Sequence, residues 1–230
     1  NDVKVRQAVV QALDKKSIIN SLSRGLSTVA RGPLPPYAIG YDSTLTSPPF
    51  DPVAAKELLK NLGYQNGLAV KLGYISHTDT VRADPLSLAI QSYLEKVGVA
   101  VELVRFTDWQ AYSHAVLDRR GDIQLFREGL PLYTRHPDNF FYSHFHSRSP
   151  HNYFHYQNPQ VDELLEQARQ AADLGLQHQL YRKIQEILLQ EAPAVFLSHP
   201  NAVCAARRWV KNFKIDPDVI PRLAEAKIEP

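Results

Sequence analysis

The sequence predicts an α/β fold built on a parallel sheet, and three observations carry that prediction. Residues 68–75, 99–106 and 123–127 read as strands. Helical patterns fill both gaps between them, and strand, helix, strand, helix, strand is the order of right-handed crossover units. Sharp punctuation separates the elements: Asp51-Pro52 opens one helix, and Gly63 and Gly98 stand where two helices should stop.

Each element follows from local pattern. Residues 4–22 place Val5, Ala8, Val9, Ala12, Leu13 and Ile18 at helical spacing and read as one helix. Gly25 and Gly32 break the pattern. Residues 26–50 carry five prolines and no periodicity, a long loop of the kind that is usually functional or linking. Asp51 is a good N-cap with Pro52 at the first helical position, for a helix to about Leu62. Leu68 to Ile75 alternates, with Val70, Leu72 and Tyr74 on one face. Residues 84–97 read as a helix with Leu86, Leu88, Ala89, Tyr93, Leu94 and Val97 as its apolar positions, and Val99 to Phe106 is the second strand. Thr107 is expected to cap a short helix through Leu117, ahead of a third strand from Ile123 to Arg127. Helices follow at 159–172 and 175–191, the second ended by Pro193. Val195–Leu197 and Val203–Ala205 read as short strands, and an irregular tail is expected from Val210.

Composition narrows the function. Hydrophobic residues make up 44% and charged residues 22%, as in ordinary globular proteins. With 26 basic and 24 acidic residues the net charge is +2, which gives no electrostatic case for nucleic acid. Arg207, Arg208, Lys211 and Lys214 form too small a basic cluster to change that. The single cysteine, Cys204, excludes an internal disulfide and, between Val203 and Ala205, reads as a small buried hydrophobe. Residues 1–20 lack a signal-peptide core, and no apolar run approaches the ~20 residues of a membrane span. No nucleophile elbow, P-loop or dinucleotide fingerprint occurs, so the residues make no case for an enzyme or for a cofactor.

In open α/β sheets, ligands bind beyond the carboxyl ends of the strands. That rule selects residues 75–84, 106–110 and 127–139. Arg127, Glu128, Tyr133 and Arg135 mix charge with aromatic surface, as a polar-ligand pocket needs. Arg82 can meet a carboxylate bidentately. Trp109 and Tyr112 can stack on a ligand or serve the core. Five of the nine histidines fall in residues 136–155, and His144 and His146 are the candidates should the segment hold nickel or zinc.

Six segments in order resemble family 5, the peptide- and nickel-type solute-binding proteins of ABC importers. They are Asp2 to Ile19; Gly32-Pro33-Leu34-Pro35-Pro36; Phe50 to Leu59 with Leu62-Gly63-Tyr64; Ile90-Gln91-Ser92-Tyr93-Leu94 with Val97-Gly98-Val99; His136-Pro137-Asp138-Asn139-Phe140-Phe141; and Tyr156 to Leu165 with Glu191-Ala192-Pro193-Ala194-Val195-Phe196. The resemblance implies a type II periplasmic-binding-protein-like lobe with a mixed sheet flanked by helices. It implies a fragment: residues 1–192 as the second lobe, and 193–230 as return strands and a tail that rejoin the missing first lobe. It implies a small-molecule solute, peptide-like or other, and the membrane subunits of an ABC importer as partners. Location would be periplasmic or extracellular, with the full-length protein membrane-associated. Peptide receptors of this family commonly carry an aspartate where Tyr133 stands, so a free peptide amine fits less well than a neutral or anionic ligand. The alternatives are a sensor that borrows this ligand-binding lobe, and a metal binder built on the histidine cluster.

Overall fold

The computed structural model describes residues 2–76, 84–118, 122–130, 132, 134, 136–216 and 220–229. The expected helix over 4–22 is two helices, α1 (Val3–Ala12) and α2 (Lys15–Ser23). Leu13 is extended, and the Asp14 carboxylate accepts from the Ser17 N–H at 3.0 Å and the Ser17 hydroxyl at 2.6 Å. A side-chain cap that satisfies the first turn restarts the helix in a new direction. The apolar stripe hides the break because Ala8, Ala12, Leu13, Ile18 and Ile19 all reach the same core. Downstream, β1 (Ser27–Val29) is the one regular element that the long loop forms before α3 (Pro52–Asn61). Asp51 caps α3 through the Ala54 N–H at 2.9 Å, as the sequence predicts.

The centre is a parallel sheet in the order β3-β2-β4, formed by β2 (Leu68–Ile75), β3 (Val99–Phe106) and β4 (Leu125–Arg127). All eight residues of β2 pair with β3, from Leu68 opposite Val99 to Ile75 opposite Phe106. Helix α4 (Pro85–Lys96) connects these two strands, and α5 (Trp109–Leu117) leads from β3 towards β4. Leu72, Val99 and Val101 pack with Ile90, Leu94 and Val97 into one core that α1, α2 and α3 close. Burial of the strands fits a parallel sheet covered by its crossover helices. Gly73 packs tightly in β2: a Cβ there would lie 3.1 Å from Ile123 Cγ2 and 3.5 Å from Phe106 Cε2, so Ile123 would have to shift by a few tenths of an ångström.

A second core lies among α6 (Asp138–Phe145), α7 (Pro159–Gln170) and α8 (Leu174–Glu191). Phe141, Phe145, Tyr181, Ile184 and Leu188 are fully buried there, and the Phe141 and Tyr181 rings stack at 5.8 Å. Each such side chain contributes about 1.5–3 kcal/mol of burial. That explains why α6 forms although its sequence is rich in aromatics of middling helix propensity and it has no side-chain cap.

Five other expectations change. The cap of α5 is Asp108, which accepts from the Ala111 N–H at 2.8 Å, and not Thr107. The third strand begins at Leu125. The return strand is β5 (Ser198–Pro200), fixed by antiparallel pairing with β1, and not Val195–Leu197. Val203–Ala205 is irregular and exposed, so Cys204 is not a buried hydrophobe. The tail has more order than expected: β6 (Val210–Lys211) pairs with β9 (Lys227–Ile228), and β7 (Lys214–Ile215) with β8 (Pro221–Arg222). Parallel and antiparallel pairings thus both occur, in separate sheets.

Candidate functional site at the carboxyl edge of the sheet

The carboxyl ends of the strands bring together Ser76, Phe106 and the segment from Arg127 to Leu130. The Ser76 N–H bonds to the Phe106 carbonyl at 2.9 Å, which continues the ladder to the sheet edge. In the last row that all three strands share, Arg105 of β3, Tyr74 of β2 and Arg127 of β4 are register partners. Partners in register share a face, so two arginines flank the buried Tyr74 on one side of the sheet. Leu72 precedes Tyr74 by two residues and packs in the α4 core, so this is the α4 side.

Arg127 is held at two points. Its carbonyl accepts the Tyr112 hydroxyl at 2.8 Å. Its guanidinium Nη2 lies 3.4 Å from Asp84 Oδ2, and each side chain is about a quarter exposed. Asp84 is itself the N-cap of α4, accepting from the Ser87 N–H at 2.9 Å and the Ser87 hydroxyl at 3.1 Å. Arg127 Nε is buried and has no hydrogen-bond partner among the described residues. Glu128 follows, with its Oε1 accepting the Gly129 N–H at 3.0 Å.

The two aromatics of α5 separate by role. Tyr112 is 2% exposed, packs edge-on against Phe106 at 5.4 Å and belongs to the core. Burial, then the Glu128 carboxylate, pushes its phenol well above the ordinary tyrosine value, while Arg127 opposes the shift. Tyr112 therefore stays a neutral donor. Trp109 is 47% exposed, with Tyr112 at 5.7 Å and Tyr153 at 6.5 Å from its ring. Its exposed half is an aromatic surface at the start of α5, three residues after the end of β3.

Among the predicted site residues, Trp109, Arg127 and Glu128 gather at this edge; Arg82, Tyr133 and Arg135 lie outside the described residues. Sequence reasoning missed Asp84 and Tyr153. Asp84-Pro85 repeats the Asp51-Pro52 pattern, and that pairing was the available signal for a fixed carboxylate.

The histidine candidates do not converge. His146 Nδ1 accepts from the Arg148 N–H at 3.1 Å, which leaves Nε2 to donate towards Glu166 at 3.4 Å. Tyr142 stacks on its ring at 4.3 Å. His144 packs edge-on against Phe140 at 5.4 Å, and burial holds it below the ordinary histidine value. Among the described residues no three histidine, cysteine or carboxylate side chains are grouped to hold a metal.

Comparison with known proteins agrees with this architecture. The chain is 30% identical over 222 residues to the dipeptide-binding protein of Escherichia coli (strain K12), covering 94% of this chain and 41% of that one. It superposes on the structure of HbpA2 from Haemophilus parasuis with a TM-score of 0.84 at 27% identity, covering 100% of this chain and 46% of the other. It superposes on the dipeptide-binding protein of Pseudoalteromonas sp. SM9913, in complex with Met-Leu, with a TM-score of 0.82 at 28% identity, covering 99% and 45%. The chain spans about two fifths of the length of the curated relatives it matches. The profile of the bacterial extracellular solute-binding proteins, family 5 middle region, matches residues 1–152, and the chain belongs to that family of binding proteins.

Proposed function

We propose that this chain is one lobe of the extracytoplasmic substrate-binding component of an ABC importer, and that it closes over its ligand by hinge motion. The observation that supports this most directly is the carboxyl edge of the parallel sheet, where Arg127, Glu128 and the exposed face of Trp109 gather. Open α/β sheets take ligands at that edge. The family is one of extracellular solute-binding proteins, and relatives are named for dipeptides. The ligand here is a small solute, peptide-like or other.

In this reading residues 1–192 are the body of the second lobe, and 193–230 return to the first lobe. The hinge lies near the paired β1 and β5, and the tail beyond them makes its ladders with itself. A ligand that touches both lobes favours the closed state, because only that state has all the contacts. The closed form docks on the membrane subunits. The protein works as a binder without catalysis, in the periplasm or outside the cell and associated with the membrane when full length. No helix among the described residues is long and apolar enough to cross a membrane.

Native mass spectrometry of the full-length protein, purified without added ligand, tests the proposal. A discrete excess mass that disappears on denaturation is the expected result and names the solute. The isolated chain should bind that solute at least a hundredfold more weakly, since it supplies one side of the cleft. Equal affinity in the isolated chain would overturn the two-lobed closure.

A further inference from the structure

We propose that Lys15 is a positioning residue for lobe closure: its ammonium pins the returning chain to α2, and so confines the bend between lobes to residues 202–206, beyond β5. The inference rests on the two-lobed reading above and deepens it, by naming where the chain bends and what holds the bend there.

The returning chain is held residue by residue up to Asn201. The Phe196 carbonyl accepts from Lys15 Nζ at 3.1 Å. The Leu197 carbonyl accepts the Ala30 N–H at 3.0 Å. Ser198, His199 and Pro200 pair with Val29, Thr28 and Ser27. The Asn201 N–H then bonds to the Leu26 carbonyl at 2.9 Å. Side chains wedge the same segment, for Val195 and Leu197 pack on the core of the parallel sheet and Phe196 on the helical core. Residues 202–206 differ. They have no regular structure and make no hydrogen bond among the described residues, and Val203 to Ala206 are exposed. A hinge is a few loop or element-terminal residues that absorb the change in backbone angles. Bending at 202–206 breaks no hydrogen bond, whereas bending inside β5 breaks its ladder.

Lys15 joins this segment to both limbs of the long loop. Its ammonium also donates to the Ala30 carbonyl at 2.9 Å, just after β1, and to the Ser47 hydroxyl at 2.9 Å. Three acceptors from three stretches of chain match its three N–H groups. Lys15 stands at the first position of α2, which the Asp14 cap fixes. Without the ammonium, two carbonyls lose a donor, the start of the return segment can shift, and the bend spreads into β5. More open conformations then compete with the closed one, and the affinity for solute falls by the share they take.

The test uses the full-length protein, as wild type and as Lys15→Met, which keeps the aliphatic stem and deletes the ammonium. Amide hydrogen exchange is read by mass spectrometry without solute. In the wild type, residues 26–30 and 197–201 should exchange about a hundredfold more slowly than residues 202–206. Lys15→Met should speed exchange in the first two stretches about tenfold and leave β2 and α4 within about twofold. Pulsed electron resonance then gives the spread of lobe-to-lobe distances, between a spin label on α7 (Glu163→Cys in a Cys204→Ser background) and one on the first lobe. That spread should be about half as wide again in Lys15→Met. The proposal is overturned if residues 197–201 of the wild type exchange as fast as 202–206, a result that needs no variant to fold. It is overturned if Lys15→Met speeds β2 and α4 equally, which is a general loss of stability, or if the two proteins show equally broad distances. One narrow distance in both proteins means that the lobes do not move, and then the two-lobed closure itself falls.

Discussion

The Tyr112 hydroxyl donates to the Arg127 carbonyl at 2.8 Å, and so a core residue of α5 sets where the last residue of β4 sits. Tyr112→Phe keeps the ring packing against Phe106 and deletes this one bond, leaving a carbonyl without its donor. The expected cost is about 1–2 kcal/mol of stability, read as a lower urea midpoint at unchanged slope. Solute affinity should fall as well, because Arg127 loses its backbone anchor. Unchanged stability and affinity in Tyr112→Phe would show that packing alone places β4.

The sequence made some of this site legible and concealed the rest, for reasons that differ by residue. Trp109, Arg127 and Glu128 were found because a positional rule picks strand ends, and the strands were clear from alternation. Asp84 was not, because its visible role is to cap a helix, and its pairing with Arg127 depends on the sheet register. Helix caps followed the same logic. Asp51-Pro52 stands after a long loop and is obvious; Asp14 interrupts an apolar stripe whose two halves reach one core, so the periodicity runs straight across the break. Helix α6 exists because Phe141 and Phe145 find a shared core, a tertiary effect that local propensity does not contain. Likewise β5 is a strand because β1 lies beside it, not because its residues favour one.

Lys15 is a half-buried cation without a carboxylate among its hydrogen-bond partners. Its ammonium donates to the Ala30 carbonyl at 2.9 Å, the Ser47 hydroxyl at 2.9 Å and the Phe196 carbonyl at 3.1 Å. It thereby joins both limbs of the long loop to the segment entering β5. Burial lowers its pKa from 10.5 to about 8. The unfolded chain then holds the proton more tightly than the native state, so stability should rise as pH rises through about 8 towards 10.5. Lys15→Met should abolish that rise while leaving two carbonyls without a donor. Urea midpoints at several pH values from 7 to 10, compared between wild type and variant, give the answer; parallel curves would mean that Lys15 titrates normally.

Two histidines act with the same sign at lower pH. Burial lowers both His144 and His199 below the ordinary value of 6.5, and the nearby Lys15 charge adds to the effect at His199. The unfolded chain takes up protons first as pH falls below 6.5, so stability present above that pH is lost through the window beneath it. A His144→Gln, His199→Gln variant should show a shallower fall of melting temperature between pH 7 and 5. An equally steep fall would assign acid sensitivity to carboxylates such as Asp14, which the bonds from Ser17 hold below the ordinary carboxylate value.

The tail carries a prediction about association. Val203, Trp209, Ile220, Leu223 and Ile228 are 62%, 42%, 55%, 64% and 77% exposed, although the tail forms two antiparallel ladders. Ladders this short satisfy backbone groups but give large side chains nothing to cover them. Several such side chains in one segment make a surface that favours a partner. In the proposed receptor the first lobe covers it. The isolated chain should therefore self-associate as its concentration rises, with the sedimentation coefficient increasing across a tenfold range. Leu223→Glu together with Ile228→Lys should hold it monomeric without lowering the melting temperature, since neither side chain belongs to a buried cluster. A wild-type chain that sediments as a monomer throughout would mean that the tail covers its own apolar groups in solution, and the return of residues 193–230 to a first lobe would lose its support.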